Sequence, residues 1–337
     1  MSELFGGTYA RGAVAEAVGD EAWLQALLDV EAALGGEQLR AQDVDLGALA
    51  REGADHASVV VPLARRYFAG THAGATSQDV LDTAMMLVAR RALEPLLDDA
   101  REAADAAAVL AQAHRATPML ARTLLQDALP TSFGLLAASW MAAIDEAGAA
   151  LAGVPLAVQM GGPVGHRDPA VSARVASALG LADPLLPWHT NRVLPVALAS
   201  ALGALAGALG KPARDVTLLA HVREGVEGRG ESSAMGHKRN PVAAVSVLAC
   251  TRRAPGLVAT MHASMEQELQ RAAGAWQAEW GTLTELLRLT GSAAAWARDL
   301  LEHLEIDGEA MAGEAGPDPD LGASAALIDR ALEAHRR

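Results

Sequence analysis

Apolar residues recur along most of this chain at the three- to four-residue spacing of an amphipathic α-helix. Residues 20–34 show the pattern clearly, because Trp23, Leu24 and Leu27 fall on one broad face. Glycine-rich segments separate the helical patterns, so we expect an all-α fold with long helices and with its chemistry in the loops. Further helices are predicted over residues 76–114, 131–151, 168–180, 192–223, 241–273 and 275–305.

Two of these helices carry explicit start signals. Thr76–Asp79 offers hydroxyls for a cap and an acid for the first turn, and the helix that follows is predicted to bend near Pro95. Asn240 and Pro241 are predicted as the cap and the first residue of a later helix, which Pro255 is expected to kink. The tail after residue 306 is acidic and loop-like, and a short terminal helix is predicted to follow it.

Composition supports the helical interpretation. The chain is 51% hydrophobic but only 3% aromatic, and strong helix formers such as Ala and Leu dominate it. Residues 193–210 carry no charge over a length close to that of a membrane span, which needs about 20 residues. Because this stretch is only mildly apolar and lacks an aromatic belt, we predict a buried helix in a large bundle instead.

The charge balance and the cysteine content exclude several classes of protein. With 27 basic and 41 acidic residues the net charge is -14, so nonspecific binding to nucleic acid or to an anionic membrane is disfavoured. The single cysteine, Cys250, permits neither an intramolecular disulfide nor a cysteine-based zinc site. No secretory signal pattern and no metal-ligand spacing are apparent. We therefore predict a cytoplasmic protein that uses no cofactor.

Residues 228–242, GRGESSAMGHKRNPV, differ from the rest of the chain. They place small residues, two adjacent serines and three consecutive basic residues just before a predicted helix start, where free backbone N–H groups favour an anion. The segment is not a Walker loop, because five residues rather than four separate Gly230 from Gly236. In an acidic protein, such a segment predicts a small anion site, and the alternative is an exposed basic loop.

The string SSAMGHKRNP resembles the signature loop of the fumarase/aspartase superfamily, Ser-Ser-x-Met-Pro-x-Lys-x-Asn-Pro. Gly236 stands where that family usually has proline. The resemblance extends over about residues 5–304. Three further segments resemble motifs of the same family: HAGATSQDV at 72–80, RTLLQDALP at 122–130 and QMGGPVG at 159–165.

The resemblance implies a homotetramer whose central helices form a twenty-helix bundle, with each active site built from three subunits. It also implies an N-terminal helical domain at 1–78, a central long-helix domain at 79–306 and a short C-terminal remnant at 307–337. Many family members carry a further C-terminal helical domain, whereas only about thirty residues follow Leu304 here.

Two features are similar to one branch of the superfamily, the 3-carboxy-cis,cis-muconate cycloisomerases. Residues 187–192, PWHTNR, resemble a segment of that branch, although a tryptophan packed beside a surface histidine would read the same way. Members that expel an amine or water usually carry His at the position of Leu124. A carboxylate leaving group, with a conjugate-acid pKa of about 4, needs no such general acid.

The resemblance thus implies interconversion of 3-carboxy-cis,cis-muconate and 4-carboxymuconolactone, in aromatic degradation through protocatechuate and the β-ketoadipate pathway. Ser232 would carry the proton at carbon, and Lys238 would lower the pKa of its hydroxyl. The remaining residues implied as ligands of the tricarboxylate substrate are Asn240, Thr76, Ser77, His72, Gln159, His189 and Arg192.

Three alternatives stay open at this point. Adenylosuccinate lyase shares the His-Lys-Arg-Asn-Pro form of the loop, but Leu124 and the short C-terminus count against it. A catalytically silent helical tetramer, or an anion-binding module without turnover, would use the same fold. Retention of Ser232, Lys238 and Asn240 argues against a silent protein.

Overall fold

The computed structural model describes residues 3–72 and 74–337 of the chain. Its N-terminal part contains five helices, of which α3 confirms the pattern at residues 20–34. A 3₁₀ turn at Ala41–Asp43 follows α3. The five helices are α1 (Glu3–Tyr9), α2 (Val14–Ala17), α3 (Asp20–Ala33), α4 (Leu46–Ala54) and α5 (Val60–Tyr67).

The rest of the described chain is dominated by longer helices, with two small antiparallel ribbons. The ribbons are β1–β2 and β3–β4. The elements are α6 (Ser77–Ala113), β1 (Pro118–Thr123), β2 (Gln126–Ser132), α7 (Phe133–Ala152), α8 (Pro169–Leu179), α9 (Val193–Val216), β3 (Val222–Glu224), α10 (Val242–Thr251), α11 (Ala254–Ala263), α12 (Ala275–Glu302), β4 (Leu304–Ile306), α13 (Gly308–Ala315) and α14 (Ser324–His335).

Four long helices hold the core together. Helix α6 packs against α7 and α12, and α9 packs against the same two helices from the other side. Alanines such as Ala92, Ala103 and Ala107 are fully buried along α6, so neighbouring backbones approach closely. Trp140 is buried as well and donates its Nε1–H to Asp215 Oδ2 at 2.8 Å, which satisfies its polar atom. This bundle is the rigid frame on which the loops are mounted.

The all-α prediction is confirmed, and the deviations are local. The single kinked helix expected over 241–273 is wrong, because the chain breaks after Thr251, restarts as α11 with Pro255 in its first turn, and leaves the helix after Ala263. The predicted cap is one residue off, since Pro241 rather than Asn240 precedes α10. Helix α13 also replaces part of the predicted tail loop, and its first turn is capped by Asp307.

Within the part of the chain that the structure describes, three segments are long and apolar enough to cross a membrane by length and composition: 133–152, 193–216 and 242–263. Helix α9, which contains the uncharged stretch, packs into the bundle with Leu198, Leu202 and Leu209 buried, as predicted. Only 39%, 50% and 33% of these apolar windows are buried within one chain. Each segment therefore keeps an apolar face that a single copy of the chain leaves uncovered.

Candidate active site

The amino end of α6 is built around a buried carboxylate. Asp79 is fully buried, and its Oδ2 accepts the backbone N–H of Thr76 at 3.1 Å, which closes the first turn of the helix. The same carboxylate accepts the backbone N–H groups of Gly161 and Gly162 at 2.9 and 2.8 Å. A carboxylate removed from water needs such donors. Asp79 therefore fastens the start of α6 to the glycine-rich turn.

Gln159 and His189 meet on this carboxylate. Gln159 Nε2 donates to Asp79 Oδ1 at 3.1 Å, and His189 Nε2 lies 2.9 Å from the same oxygen. Gln159 Oε1 accepts the backbone N–H of Trp188, while the Gln159 backbone N–H donates to Thr83 Oγ1 at 2.9 Å. Two predicted ligands that are distant in sequence are thus oriented by one buried acid.

The glycine-rich turn packs so closely against the histidine that side chains are excluded from it. A Cβ on Gly161 would lie 2.7 Å from His189 Cε1 and 2.7 Å from Pro187 Cβ. Gly162 has a φ of +67°, and a Cβ there would lie 2.9 Å from the carbonyl oxygen of Gly74. The position of His189 therefore depends on the absence of a side chain at Gly161.

Arg192 is fully enclosed in a second part of the cluster. Its Nη1 and Nη2 donate to Asp82 at 2.7 and 3.1 Å, and its Nε donates to Glu279 Oε1 at 3.0 Å. The guanidinium also stacks on Trp188, with 4.9 Å between its Cζ and the ring centroid. Trp276 Nε1 donates to Asp82 Oδ1 at 2.9 Å. The donor nitrogens of Arg192 are therefore taken by Asp82, Glu279 and the carbonyl of His189 in a buried pocket.

Burial and charge act in opposite directions on this group. Burial alone would lower the pKa of Arg192, but the attraction of Asp82 and the hydrogen bonds from Glu279 and Asp82 outweigh it and raise the pKa. Burial raises the pKa of Glu279, and Arg192 opposes that shift. The cluster is therefore a set of mutually dependent charges, because removal of one member would leave its partners buried without an opposite charge.

Arg271 closes the cluster from the loop between α11 and α12. Its Nη1 donates to Gln78 Oε1 at 2.8 Å and its Nη2 donates to the carbonyl of Gly162 at 3.1 Å. Gln78 Nε2 in turn donates to the carbonyl of His189 at 2.7 Å. Burial lowers the pKa of the Arg271 guanidinium, and the Asp79 carboxylate opposes that shift. Arg271 thus joins α6, the glycine-rich turn and the 187–192 loop.

The other predicted residues near α6 lie at the edge of the cluster. Thr76 and Ser77 are partly exposed at the first residues of the helix. His72 Nδ1 lies 2.7 Å from Oε1 of the buried Glu31, and the carbonyl of His72 accepts the backbone N–H of Ala75 at 3.0 Å. A ligand carboxylate placed at the amino end of α6 would therefore reach the two hydroxyls before it reached the buried acid.

The serine loop is organised differently. We call residues 230–240 the flap. Ser232 Oγ accepts the backbone N–H groups of Ala234 and Met235 at 3.3 and 3.1 Å. Lys238 is exposed, and its backbone N–H donates to the carbonyl of Met235 at 3.0 Å. These contacts all lie inside the flap, so the loop has internal order of its own.

The flap is closed at its base. The backbone N–H and the Nδ2 of Asn240 both donate to the carbonyl of Gly230, at 2.8 and 3.1 Å. The first turn of α10 is already occupied, because Glu224 accepts the backbone N–H groups of Ala243 and Ala244 at 3.1 and 3.0 Å. The prediction that these helix-end N–H groups are free for an external anion is therefore wrong.

The structure thus joins one group of the predicted residues and keeps another apart. Thr76, Gln159, His189 and Arg192 belong to the cluster around α6, whereas Ser232, Lys238 and Asn240 make the contacts described above within the flap. Sequence reasoning missed the acids that organise the cluster. Asp79 stands inside a quoted motif, and Asp82 lies three residues further along α6, whereas nothing in the sequence around Glu279 marks it out.

Comparison with known proteins places the chain. A family described as lyase matches residues 69–256. The 3-carboxy-cis,cis-muconate cycloisomerase of Bradyrhizobium diazoefficiens is 39% identical over 92% of this chain and 78% of the relative. Nitrosuccinate lyase of Streptomyces davaonensis is 41% identical over 88% of this chain and 73% of the relative. The chain belongs to this lyase family, within the fumarase/aspartase superfamily.

Solved structures agree with that assignment. The 3-carboxy-cis,cis-muconate lactonizing enzyme of Pseudomonas putida superposes on this lyase with a TM-score of 0.90 and 28% identity, covering 100% of this chain and 99% of its own. The cycloisomerase of Acinetobacter calcoaceticus sp. ADP1 gives a TM-score of 0.82 and 31% identity, covering 92% of this chain and 79% of its own. The first of these structures matches this chain over almost its whole length.

The lyase presents Leu124 at the tip of the β1–β2 ribbon. Leu124 and Leu125 form the turn with φ values of 52° and 65°, in the left-handed region that leucine rarely adopts. Leu124 is 96% exposed, and Leu129 on β2 is 81% exposed. The tip of the ribbon is therefore apolar and exposed in the single chain.

Proposed function

We propose that this lyase is a 3-carboxy-cis,cis-muconate cycloisomerase, which interconverts 3-carboxy-cis,cis-muconate and 4-carboxymuconolactone. Cycloisomerases from several bacteria are 34–39% identical over 92% of this chain. The near-complete superposition on the lactonizing enzyme from Pseudomonas putida is the observation that carries the proposal. The reaction would belong to aromatic degradation through protocatechuate and the β-ketoadipate pathway.

The chemistry needs one new C–O bond and one proton at carbon. A substrate carboxylate oxygen adds to one end of a conjugated double bond, and the electron pair moves to the neighbouring carbon and into its carboxylate. That carbanion is then protonated. Because the intermediate gathers two negative charges on one group, donors fixed in advance around it supply most of the rate.

Ser232 is the proposed proton carrier. A serine hydroxyl is too weakly acidic to work unaided, but the backbone N–H groups of Ala234 and Met235 point at its oxygen. Such donors stabilise the oxygen when it is charged, and Lys238 on the same flap adds positive charge. Closure of the flap over the substrate would exclude water and strengthen both effects.

The cluster around α6 is the proposed rigid wall of the site. Thr76, Ser77 and His72 would hold one substrate carboxylate at the amino end of α6, with its helix dipole in support. Gln159 would offer the second N–H of its amide and His189 its other ring nitrogen, and Asp79 keeps both side chains in place. Arg192 lacks a spare donor in its ion pairs with Asp82 and Glu279, so we assign it the role of holding the 187–192 loop.

We further propose that the enzyme is a cytoplasmic homotetramer, with sites shared between subunits and with a twenty-helix core. The apolar helices α7, α9, α10 and α11 each leave a face uncovered in one chain, and the Leu124 tip is exposed. Packing copies against these faces would remove apolar surface from water, at about 25 cal/mol per Å². It would also bring the flap of one subunit to the cluster of another.

The decisive experiment is an absorbance assay with 3-carboxy-cis,cis-muconate, because cyclisation removes the conjugated diene. The expected result is a loss of diene absorbance with formation of the lactone and no release of fumarate. Adenylosuccinate should not be cleaved, because Leu124 stands where amine-releasing members of the superfamily usually carry a histidine. Absence of lactone under conditions in which the protein is folded and tetrameric would reject the proposal.

A second candidate rests on the 41% identity to nitrosuccinate lyase. A nitro group would leave as nitrite, which is a weak base like a carboxylate, so Leu124 in place of a general acid fits this chemistry as well. Both reactions pass through a carbanion beside a carboxylate. Side-by-side assays of lactone formation and nitrite release distinguish them, and we expect lactone formation to have at least a hundredfold higher kcat/KM, on the order of 3 kcal/mol.

A further inference from the structure

The segments just before and just after the flap both contact one carboxylate. Glu224, on β3, has a side chain only 5% exposed, and Arg229 Nε lies 3.3 Å from its Oε2 just before the flap. Just after the flap, the same carboxylate accepts the backbone N–H groups of Ala243 and Ala244 at 3.1 and 3.0 Å. Both ends of the flap are therefore tied to a single side chain.

This tie is anchored in the helical frame. Arg229 Nη1 lies 2.5 Å from Asp299 Oδ2 on α12, and Asp299 also binds Arg11 at 2.8 Å. Glu224 pairs with Leu304 in the β3–β4 ribbon, directly after α12. The two carboxylates and two guanidinium groups alternate, so each charge has an opposite neighbour. The base of the flap is thus fixed to the longest helix of the C-terminal half.

The body of the flap has no comparable attachment among the contacts described. Residues 233–239 are exposed, and the bridge between Glu231 and Arg239 lies within the flap itself. At the base, a Cβ on Gly230 would lie 2.2 Å from the carbonyl oxygen of Asn240, so the two ends touch. A tight, anchored base therefore carries a body that is free to move.

We propose that Glu224 is a positioning residue for the reaction: it keeps the base of the flap rigid, so that Ser232 reaches the same place each time the flap closes. The proposal rests on the proposed function, in which Ser232 transfers the proton. A misplacement of about 1 Å between reacting groups costs about a hundredfold in rate. A flap whose base is loosely held should therefore have a lower kcat.

The test is Glu224→Gln in the full-length protein, with amide hydrogen exchange and steady-state kinetics measured together. Gln keeps the size of the side chain but removes its charge from Arg229 and from the α10 helix end. We expect the amides of residues 240, 243 and 244 to exchange about tenfold faster, while the amides of α6 stay unchanged. We also expect kcat to fall about tenfold with KM within about twofold.

Glu305→Gln is the matched control, because Glu305 lies on the same ribbon and pairs with Arg223 instead of the flap. It should leave both exchange and kcat at wild-type values. Arg229→Gln loosens the other end of the flap and should speed exchange at residues 230–232 more than at 243 and 244. If Glu224→Gln leaves amide exchange at the base of the flap at the wild-type rate, or speeds that exchange without changing kcat, the role of Glu224 is overturned. If Glu224→Gln exchanges faster at the base of the flap but the wild-type protein makes no lactone, the anchoring is supported and the proposed function is rejected.

Discussion

The cluster around α6 and the flap both carry charged and polar side chains predicted for one site, yet they are built in opposite ways. In the cluster, Asp79, Asp82, Arg192 and Glu279 are buried, and each one has several partners drawn from distant parts of the chain. In the flap, Ser232 and its neighbours are more exposed and bind one another. The buried region is specified by tertiary contacts, and the flap is specified by its own sequence.

This difference separates two tasks that a carbanion-forming enzyme needs. A network of buried charges is costly to rearrange, because moving one partner leaves the others buried without solvation or an opposite charge. The cluster is therefore suited to hold hydrogen-bond donors in fixed positions. A loop with internal contacts can move as a unit at little cost, so the flap is suited to open for substrate and close for proton transfer. Variants that act on each region should therefore fail in different ways.

The largest expected effect is the loss of turnover in Ser232→Ala. Removing a proton carrier from an otherwise intact site costs about 10²–10⁴-fold in kcat, while substrate binding and the assembled protein remain. The measurement is loss of diene absorbance together with sedimentation to confirm assembly. Ser233→Ala, one residue along the same flap, is the control and should retain activity within a few fold. Equal effects of the two substitutions would remove the special role of Ser232.

The next largest effect should be on folding rather than chemistry, in Arg192→Met. Methionine fills much of the volume but leaves Asp82 and Glu279 buried without their cation, which costs about 3–5 kcal/mol in unfolding free energy. Urea unfolding measures this. Arg101→Met is the control, because the Arg101–Asp98 pair is 64% and 54% exposed, and its loss should cost less than about 1 kcal/mol. A small effect at Arg192 would mean that the cluster adapts more readily than its contacts indicate.

The helices were predictable because their apolar spacing is a local property of the sequence, and α3 and α6 lie where the pattern places them. The flap was predictable for the same reason, since its glycines, serines and basic residues are contiguous. The β1–β2 ribbon was not, because its turn is made by Leu124 and Leu125, which carry no turn signal. The conformation of this turn is therefore set by the surrounding fold and not by the two residues that form it.

The cluster was only half predictable. Gln159, His189 and Arg192 came from motifs, but the role of Arg192 depends on Asp82 and Glu279, which approach it from two other helices. Glu279 is one acidic residue on a long helix, where an exposed position would be the ordinary expectation. Only the packing of α12 against α6 turns it into a buried partner. A second acid, Glu224 on β3, occupies the α10 helix end that the sequence left free for an anion.

A moderate effect on both stability and activity should follow Gly161→Ala. The added methyl group would meet His189 and Pro187 at 2.7 Å, so the 187–192 loop must shift, at a cost of about 1–3 kcal/mol. Because His189 moves with it, kcat/KM should fall about tenfold or more. Gly281→Ala is the control, since a Cβ at that exposed helical position meets nothing within 4 Å, and it should be neutral or slightly stabilising. The measurements are the free energy of unfolding and kcat/KM of both variants, and equal values for the two would contradict the prediction.

The smallest effect concerns α10, the helix that carries the flap, and it is a pH dependence. Burial raises the pKa of the Cys250 thiol to about 11 from 9.0, with the Ser292 hydrogen bond opposing. Between those values the folded chain keeps a proton that the unfolded chain has lost. The stability tied to the protonated thiol is therefore fully present below pH 9 and is lost as the pH rises towards 11, by about 2 kcal/mol. Urea unfolding of wild type and Cys250→Ala at several alkaline pH values should give a difference that shrinks over this window. A difference that is flat with pH would mean that the interior around Cys250, at the end of α10 far from the flap, opens to water before the thiol ionises, so this end of α10 would be less rigid than its burial implies.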